Sequence, residues 1–473
     1  VYYRLKDDFE LCSYKGCPYG IYNRKFNKTD FIHDRDCYLL LYKCNGNVDF
    51  DTLKLTDEQS KFMEMACKEA LDVSLHPNPM PHPIPSHIYP NEYRQSIHWS
   101  ITGNCNFKCK HCFQSACDGL GEPTFEQIEE LVRQMKEAGI FDVSITGGEP
   151  LVRKDFFDIV DLCKDNGIRI STIYSNGWLI DDKFISELKK HDINPAFQIS
   201  FDGIGYHDWM RGREGAEEKA ISAIKKLVSN GYHVGSAFAL CKENASSMRE
   251  TIRFLESIGI SAFKVQRCMP QGKWIGQKEH FLTDEELLKF YLEYIQQYKD
   301  DNLHIPVQVE GVYMLSRDKE NQEFSATPLY DMNLDEHQLE SRFSCAIMLD
   351  SFYLNFNGAV VPCMNMAGTK LEEQFPNAFD IPLPELLCDS SYTKLCRVHF
   401  KDVVNKNEEC RNCDHILHCA GGKCRAIPIG LEDSDLCCKD GFLCNFYEKG
   451  WNERFDKLMS KKINSEQLDN VEC

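Results

Sequence analysis

The run Ile97-His98-Trp99-Ser100-Ile101, with Cys105-Asn106-Phe107-Lys108-Cys109-Lys110-His111-Cys112 close behind it, decides how the rest of the chain reads. A half-apolar strand pattern ends at a loop carrying three thiols, Cys105, Cys109 and Cys112. Thiols this close can converge on one face of an iron–sulfur cluster. A 4Fe–4S cluster held only by cysteine takes four of them, so three leave one iron with an open coordination position. The competing reading is a zinc site with His111 as fourth ligand, but neighbours such as His111 and Cys112 rarely reach one tetrahedral ion.

Outward from this loop the pattern repeats. Strands are predicted at Ile97–Ile101, Asp142–Thr146, Ile168–Tyr174, Phe197–Phe201, Val234–Leu240 and Phe263–Arg267. Amphipathic helices fall between them. Thr124 with Gln127, and Thr283 with Glu286, are capping-box signals; Ile221, Ile224 and Leu227, then Ile252 and Leu255, mark two further helical faces. Such βα repeats predict an α/β fold, a partial (β/α)6 barrel of TIM type, with its chemistry at the C-terminal ends of the strands.

The flanks read differently. Residues 1–76 alternate short β-rich runs with one helix: Tyr38–Tyr42 is predicted as a buried strand, Asn45-Gly46-Asn47 as a turn, and Thr56 with Gln59 as the capping box of the helix. Residues 77–94 hold Pro77, Pro79, Pro81, Pro83, Pro85 and Pro90 and are predicted to be an extended linker. The barrel is assigned to 95–312, a bridging region to 313–340 and a cysteine-rich domain to 341–473. That last domain is expected to have little apolar core of its own and to lean on bound metal.

Composition narrows the function. A chain of 473 residues is too long for one ordinary core. It has no apolar run of membrane-spanning length, and Val1–Glu10 is too polar for a signal peptide. A net charge of −19 argues against nucleic-acid binding. The 24 cysteines cluster around Cys105–Cys117 and Cys410–Cys444, which reads as metal ligation in a reducing cytoplasm rather than a secreted disulfide framework. Cys67, Cys163 and Cys241 stand apart and are read as small core hydrophobes.

The C-x3-C-x2-C loop after the first strand resembles the radical S-adenosylmethionine (SAM) superfamily, and the resemblance continues over roughly residues 95–275. Gly147-Gly148-Glu149-Pro150 after the second strand looks like the family's segment for the SAM amino group. Glycines permit close backbone approach, and a carboxylate pairs with an ammonium. Ser175 and Asn176 after the third strand, and Ser200 and Asp202 after the fourth, fall where relatives surround the SAM ribose and carboxylate; Arg211 and Arg267–Lys273 are also similar to family segments. The resemblance implies reductive cleavage of SAM to a 5′-deoxyadenosyl radical that removes a hydrogen atom from the substrate. It implies no catalytic acid or base.

The C-terminal cysteines resemble the SPASM auxiliary-cluster domain of peptide-modifying relatives. Cys345 is followed by Gly358 and Cys363, then by Cys410-x2-Cys413-x5-Cys419-x4-Cys424, and finally by Cys437, Cys438 and Cys444. By this resemblance Cys345, Cys363 and Cys424 hold auxiliary cluster I, and Cys410, Cys413, Cys419 and Cys438 hold auxiliary cluster II. Cys438 is preferred to Cys444 because Asp435-Leu436-Cys437-Cys438 is similar to the family's ending. Four residues separate Cys419 from Cys424 where the family has three. The implied cofactors are SAM and three 4Fe–4S clusters. Cluster I is left with an open iron able to take a substrate thiolate, with Cys388 and Cys396 as candidate fourth ligands. The N-terminal zone resembles the small winged-helix-like domains that recognise precursor peptides.

The function these resemblances imply is maturation of a ribosomally made peptide by thioether crosslinking. The expected partners are the precursor peptide and an electron donor such as flavodoxin or ferredoxin, with no nucleic acid and no membrane. Carbon–carbon crosslinking, peptide epimerisation and sulfatase-maturing oxidation are the enzymatic alternatives, and a zinc-binding interaction protein is the non-enzymatic one.

Overall fold

The computed structural model describes residues 1–459 except 16, 17, 26, 27, 33, 79, 81, 95, 115, 117, 118, 319, 321, 322, 346, 389 and 427–435. Its N-terminal zone contains β1 (Tyr2–Leu5), β2 (Phe9–Ser13), β3 (Tyr19–Asn23), β4 (Lys28–Ile32), α1 (Arg35–Leu41), β5 (Asn45–Asp49), α2 (Asp57–Glu69), β6 (Leu71–Ser74) and β7 (Ser86–Ile88). These strands form two small sheets, ordered β5-β1-β6 and β4-β3-β2-β7.

Two expectations for this zone are corrected. The apolar run at Tyr38 is helix α1, not a strand: Cys37, Tyr38, Leu40 and Leu41 are buried while Leu39 is 42% exposed. That spacing follows a helical face, and Asp34 caps it by accepting from the Cys37 N–H at 2.7 Å. Asn45-Gly46-Asn47 lies within β5, where the register against β1 shifts and Gly46 takes φ +82°. The turn chemistry is present but serves a bulged strand. The Thr56–Gln59 capping box forms at the start of α2. The proline-rich linker contributes β7 at a sheet edge between Pro85 and Pro90, where proline is tolerated.

The barrel sheet holds β8 (Ser96–Ser100), β9 (Asp142–Thr146), β10 (Arg169–Ser175), β11 (Ala196–Ser200), β12 (Val234–Leu240), β13 (Ala262–Arg267) and β14 (Val307–Val309), each parallel to the next. Helices α3 (Phe125–Glu137), α4 (Phe156–Asp165), α5 (Asp182–Lys190), α6 (His207–Arg211), α7 (Ala216–Ser229), α8 (Met248–Ser257) and α9 (Asp284–Asp300) connect them. The capping boxes at Thr124 and Thr283 are both made. The sequence-predicted strands are all present, and β14, a short strand after α9, is an addition. Antiparallel β15 (Tyr313–Arg317) and β16 (Phe324–Pro328) finish that edge.

The opposite edge is finished by the C-terminal region. Its β17 (Ser351–Leu354) pairs parallel with β8, and β18 (Val360–Val361) turns back beside it. Leu386, Phe446 and Phe455 belong to the same continuous apolar core as Trp99 and Phe201 of the barrel. This corrects the expectation of a region poor in core: its apolar side chains are buried against the barrel instead of against one another alone. Among the described residues, no helix is long and apolar enough to cross a membrane.

Candidate active site

The cysteine loop leaves β8 at the C-terminal end of the sheet, and successive βα loops grip it. Gly148 N–H donates to Thr102 O at 2.8 Å and Glu149 N–H to Asn104 O at 2.9 Å. A Cβ on Gly148 would stand 2.3 Å from Asn104 O, so a larger residue is excluded there. Asn176 Nδ2 donates to Asn106 Oδ1 at 2.8 Å. Beyond β11, the N–H groups of Lys108 and Lys110 donate to the carbonyls of Arg211 and Met210, and Arg213 Nη1 donates to Asn106 O at 2.6 Å. Beyond β13, Lys273 N–H donates to Cys112 O at 3.1 Å.

Each thiol in the loop has an N–H donor. Cys105 Sγ accepts from Phe107 N–H and Cys112 Sγ from Ala116 N–H, both at 3.4 Å, and Arg211 Nη1 lies 3.8 Å from Cys109 Sγ. Burial pushes the Cys105 thiol up to about 12, with Cys109 and Cys112 close enough to add to the effect. Metal coordination would reverse this by taking the sulfur as thiolate.

Glu149 is buried and tied to the next loop. Its carboxylate accepts from Ser175 Oγ at 2.9 Å, Asn176 N–H at 2.7 Å and Leu151 N–H at 3.2 Å. Desolvation outweighs these neutral donors and raises it from its ordinary 4.5 to about 7. Glu149, Ser175 and Asn176 thus form one unit, linked through Asn106 to the cysteine loop. Asp202 is oriented differently. It is fully buried, 2.5 Å from Arg211 Nε in an ion pair without hydrogen-bond alignment. Burial works to raise its carboxyl, but the Arg211 charge and the hydrogen bond with His207 hold it well below the usual range. It therefore positions Arg211, which faces Cys109. Ser200 ends β11, two residues before Asp202. His111 is buried against Arg211 and pushed down to about 4, so it is neutral.

The C-terminal cysteines gather from distant parts of the chain. Gly358, at φ +86°, closes the β17–β18 turn by donating from its N–H to Asn355 O at 2.9 Å, which brings the chain back to Cys363. Cys363 is pushed up to about 12 by burial, with Cys424 and Cys345 both within electrostatic reach. Cys419 is likewise raised to about 12, with Cys444 and Cys410 as its cysteine neighbours; Cys410 in turn is near Cys413. Cys438 is a neighbour of Cys437, while Cys444 is the late cysteine whose thiol influences Cys419. Asp435 and Cys117 lie outside the described residues. Ala420, Gly421 and Gly422 all have positive φ, and this reversal takes up the extra residue between Cys419 and Cys424. Arg425, 1% exposed, donates to the carbonyls of Gly421, Gly422, Leu436 and Cys438. Cys388 Sγ–H donates to Pro90 O at 3.1 Å, and Cys396 is buried beside Tyr392, within electrostatic reach of Cys345. Among the described residues, no three His, Cys, Asp or Glu side chains close on a single-ion site.

Residues 99–255 match the radical SAM superfamily, and residues 345–414 match SPASM, an iron–sulfur cluster-binding domain. The chain is an enzyme carrying a radical SAM domain and a SPASM domain. It uses SAM and a 4Fe–4S cluster in the radical SAM barrel and auxiliary iron–sulfur clusters in the SPASM domain, which displaces the non-enzymatic zinc reading. An AdoMet-dependent heme synthase of Nitratidesulfovibrio vulgaris is 24% identical, over 72% of this chain and 91% of its own length. The sporulation killing factor maturation protein SkfB of Bacillus subtilis is 25% identical, over 61% of this chain and 62% of its own. The crystal structure of Streptococcus suis SuiB bound to its precursor peptide SuiA aligns with a TM-score of 0.63 at 16% identity, covering 93% of this chain and 99% of that one.

The residues of the radical SAM barrel suit these groups. Three thiols that each receive an N–H donor fit iron–sulfur ligation, and a buried carboxylate whose donors are all neutral fits a ligand's amino group. Sequence reading missed Arg213, whose guanidinium lies 3.6 Å from the Trp178 ring centroid while holding the loop at Asn106. The signal available was Arg211-Gly212-Arg213 itself: Gly212, at φ +63°, passes so close to the loop that a Cβ would stand 2.4 Å from Lys108 O.

Proposed function

We propose that this enzyme matures a ribosomally made peptide by joining a cysteine sulfur to carbon in a thioether. The observation that carries the peptide reading is the N-terminal zone, whose β4 is the outer strand of its sheet while β7 covers the other side. An edge strand holds a peptide by backbone hydrogen bonds. SuiB, solved with its precursor peptide, shares the fold over 93% of this chain, and SkfB is named as a maturation protein.

In this reading Cys105, Cys109 and Cys112 hold the SAM-binding cluster. Gly147, Gly148 and Pro150 bring backbone close to SAM, Glu149 holds its amino group, and Ser175 and Asn176 hold Glu149. Asp202 positions Arg211 beside Cys109, and Ser200 completes that wall. Cys345, Cys363 and Cys424 hold auxiliary cluster I; Cys410, Cys413, Cys419 and Cys444, in preference to Cys438, hold auxiliary cluster II. The engagement of Cys388 by Pro90 keeps it from cluster I, while Cys396, within electrostatic reach of Cys345, is the competing fourth ligand; with three cysteines alone, the open iron would take a substrate thiolate. When bound and reduced, the barrel cluster and SAM supply a 5′-deoxyadenosyl radical, which removes a hydrogen atom from carbon. The protein binds the peptide, keeps water out and orients the attacked carbon. Closing the thioether releases one further proton to solvent and one electron, which an auxiliary iron–sulfur cluster would accept. A flavodoxin or ferredoxin is the proposed source of reducing electrons.

The test is anaerobic incubation of reconstituted enzyme, SAM and reductant with the small peptide encoded beside the gene. The expected product has lost two hydrogen atoms and one alkylatable thiol. A two-hydrogen loss with the thiol still free indicates a carbon–carbon link, and an inverted residue at unchanged mass indicates an epimerase. Inert peptide with turnover of an iron porphyrin precursor would sink the peptide reading in favour of the heme synthase likeness.

A further inference from the structure

Where the ends of β12 and β13 face the Gly441–Glu448 helix of the C-terminal region, the protein forms a half-open cavity of about 330 Å³. Leu240, Met269, Leu287 and Phe442 make much of its lining apolar. Two other lining residues carry buried donors with nothing to bond: Arg267 Nη2 and Trp274 Nε1 have no hydrogen-bond partner among the described residues. Trp274 is 0% exposed, and the Arg267 guanidinium lies over the Phe442 ring, 4.5 Å from its centroid. Gln271, 6% exposed and in the same segment, adds an unpartnered Nε2.

A buried donor without an acceptor is destabilising, and several of them around one cavity mark a place where a ligand supplies the acceptors. The cavity's acidic and imidazole groups are already engaged. Asp284 accepts from Asn445 Nδ2 at 2.9 Å, and His280 pairs with Glu243. Asp440, which lies within electrostatic reach of Arg267, accepts from Phe442 N–H at 3.1 Å. The position is as telling as the chemistry. The segment from Arg267 to Trp274, which supplies one wall, backs directly onto the cluster loop, because a Cβ on Gly272 would meet Cys112 O at 2.4 Å. The opposite wall is the helix that carries Cys444. The cavity therefore lies between the radical-generating loop and the auxiliary-cluster cysteines.

We propose that this cavity is a substrate subsite for a carboxylate side chain, an aspartate or glutamate of the peptide, gripped by Arg267 and Trp274. The inference rests on the peptide reading above and names the chemistry of the residue that docks there. A carboxylate on a methylene stem matches N–H donors set in apolar walls. The volume, at the low end of ligand pockets, suits one side chain. In a chain of net charge −19, a guanidinium with an unpartnered Nη2 beside a cavity is a local exception that attracts an acidic residue.

The test uses the anaerobic holoenzyme and two probes, N-acetylglutamate N′-methylamide and its glutamine counterpart, with binding read by saturation-transfer NMR. The glutamate probe is expected to bind at least tenfold more tightly. Arg267→Gln should erase the preference and Arg267→Lys should restore part of it. Trp274→Phe keeps the ring, removes the N–H, and should weaken the glutamate probe severalfold with an unchanged circular dichroism spectrum. SAM affinity, measured by equilibrium dialysis, should be the same in all variants. Equal binding of the two probes, or loss of SAM affinity in Arg267→Gln with the glutamate probe unaffected, overturns the proposal. Probe binding needs no turnover, so a retained carboxylate preference with an unmodified peptide would refute the maturase reading alone.

Discussion

In the proposed reading, the cysteine loop of the barrel and the cysteines of the C-terminal region hold the same kind of cluster on opposite structural plans. Cys105, Cys109 and Cys112 are neighbours in sequence, each with an N–H donor, and loops from β9, β10, β11 and β13 clamp their backbone. The SPASM cysteines come together from positions as far apart as Cys345 and Cys444, on short helices and turns whose apolar residues share the barrel core. The first site is held by its surroundings whether or not its ligands bind anything. The second has its geometry set by a long stretch of chain, so damage there should spread.

The largest expected effect separates the two directly. Replacing Cys105, Cys109 and Cys112 together with alanine should abolish 5′-deoxyadenosine formation and remove about four irons, with circular dichroism and auxiliary-cluster absorption retained. Continued SAM cleavage would break the comparison. Next in size is Arg425→Met. It leaves the carbonyls of Gly421, Leu436 and Cys438 without their buried donor and should destabilise the protein by about 3 kcal/mol in urea titration. The iron lost should come from the auxiliary sites. The matching change at the barrel loop, Arg213→Met, should cost about 1 kcal/mol, because the loop keeps its other grips; equal losses would remove the distinction.

Glu149→Gln tests the ligand side of the barrel site, with about a tenfold loss of SAM affinity at pH 8. Because Glu149 is raised from 4.5 to about 7, the wild-type carboxylate ionises only as pH rises through about 7. SAM binding should strengthen over that range and the variant's should not, as calorimetry at several pH values would show. The same shift has the opposite sign for the SAM-free fold. A raised carboxyl contributes stability that is fully present below pH 4.5 and lost as pH climbs through about 7. Wild-type melting temperature should therefore fall relative to Glu149→Gln across that window. The smallest effect is Tyr14→Phe, which removes the hydrogen bond to Gly139 O at 2.9 Å that docks the N-terminal zone on the barrel. It should cost about 1 kcal/mol and show as faster proteolysis in the linker.

The same contrast governs how much could be read from sequence. The barrel strands and the three capping boxes were legible because each is a local pattern, and the clustered Cys105–Cys112 motif carried its own spacing. The N-terminal helix was misread because Tyr38–Tyr42 is continuously apolar, and such a run does not reveal its period. Asp34, three residues ahead of Cys37, was the available cap signal. The shared core of the SPASM region was invisible because it depends on which surface Leu386 and Phe446 meet, not on their spacing. The proposed preference for Cys444 over Cys438 was equally out of reach, since both follow Cys424 in order and the proximity of Cys444 to Cys419 arises only in the folded chain.

The pairing of β17 with β8 also sets a timetable for the ribosome. The strand that launches the cluster loop gains its partner on one side when β9 emerges, but its other edge stays open until Ser351–Leu354 has been made, about 250 residues later. At ordinary translation rates that delay lasts roughly ten to fifty seconds. During it the first strand of the barrel presents bare backbone on one side, and completion of the C-terminal region is what covers that edge.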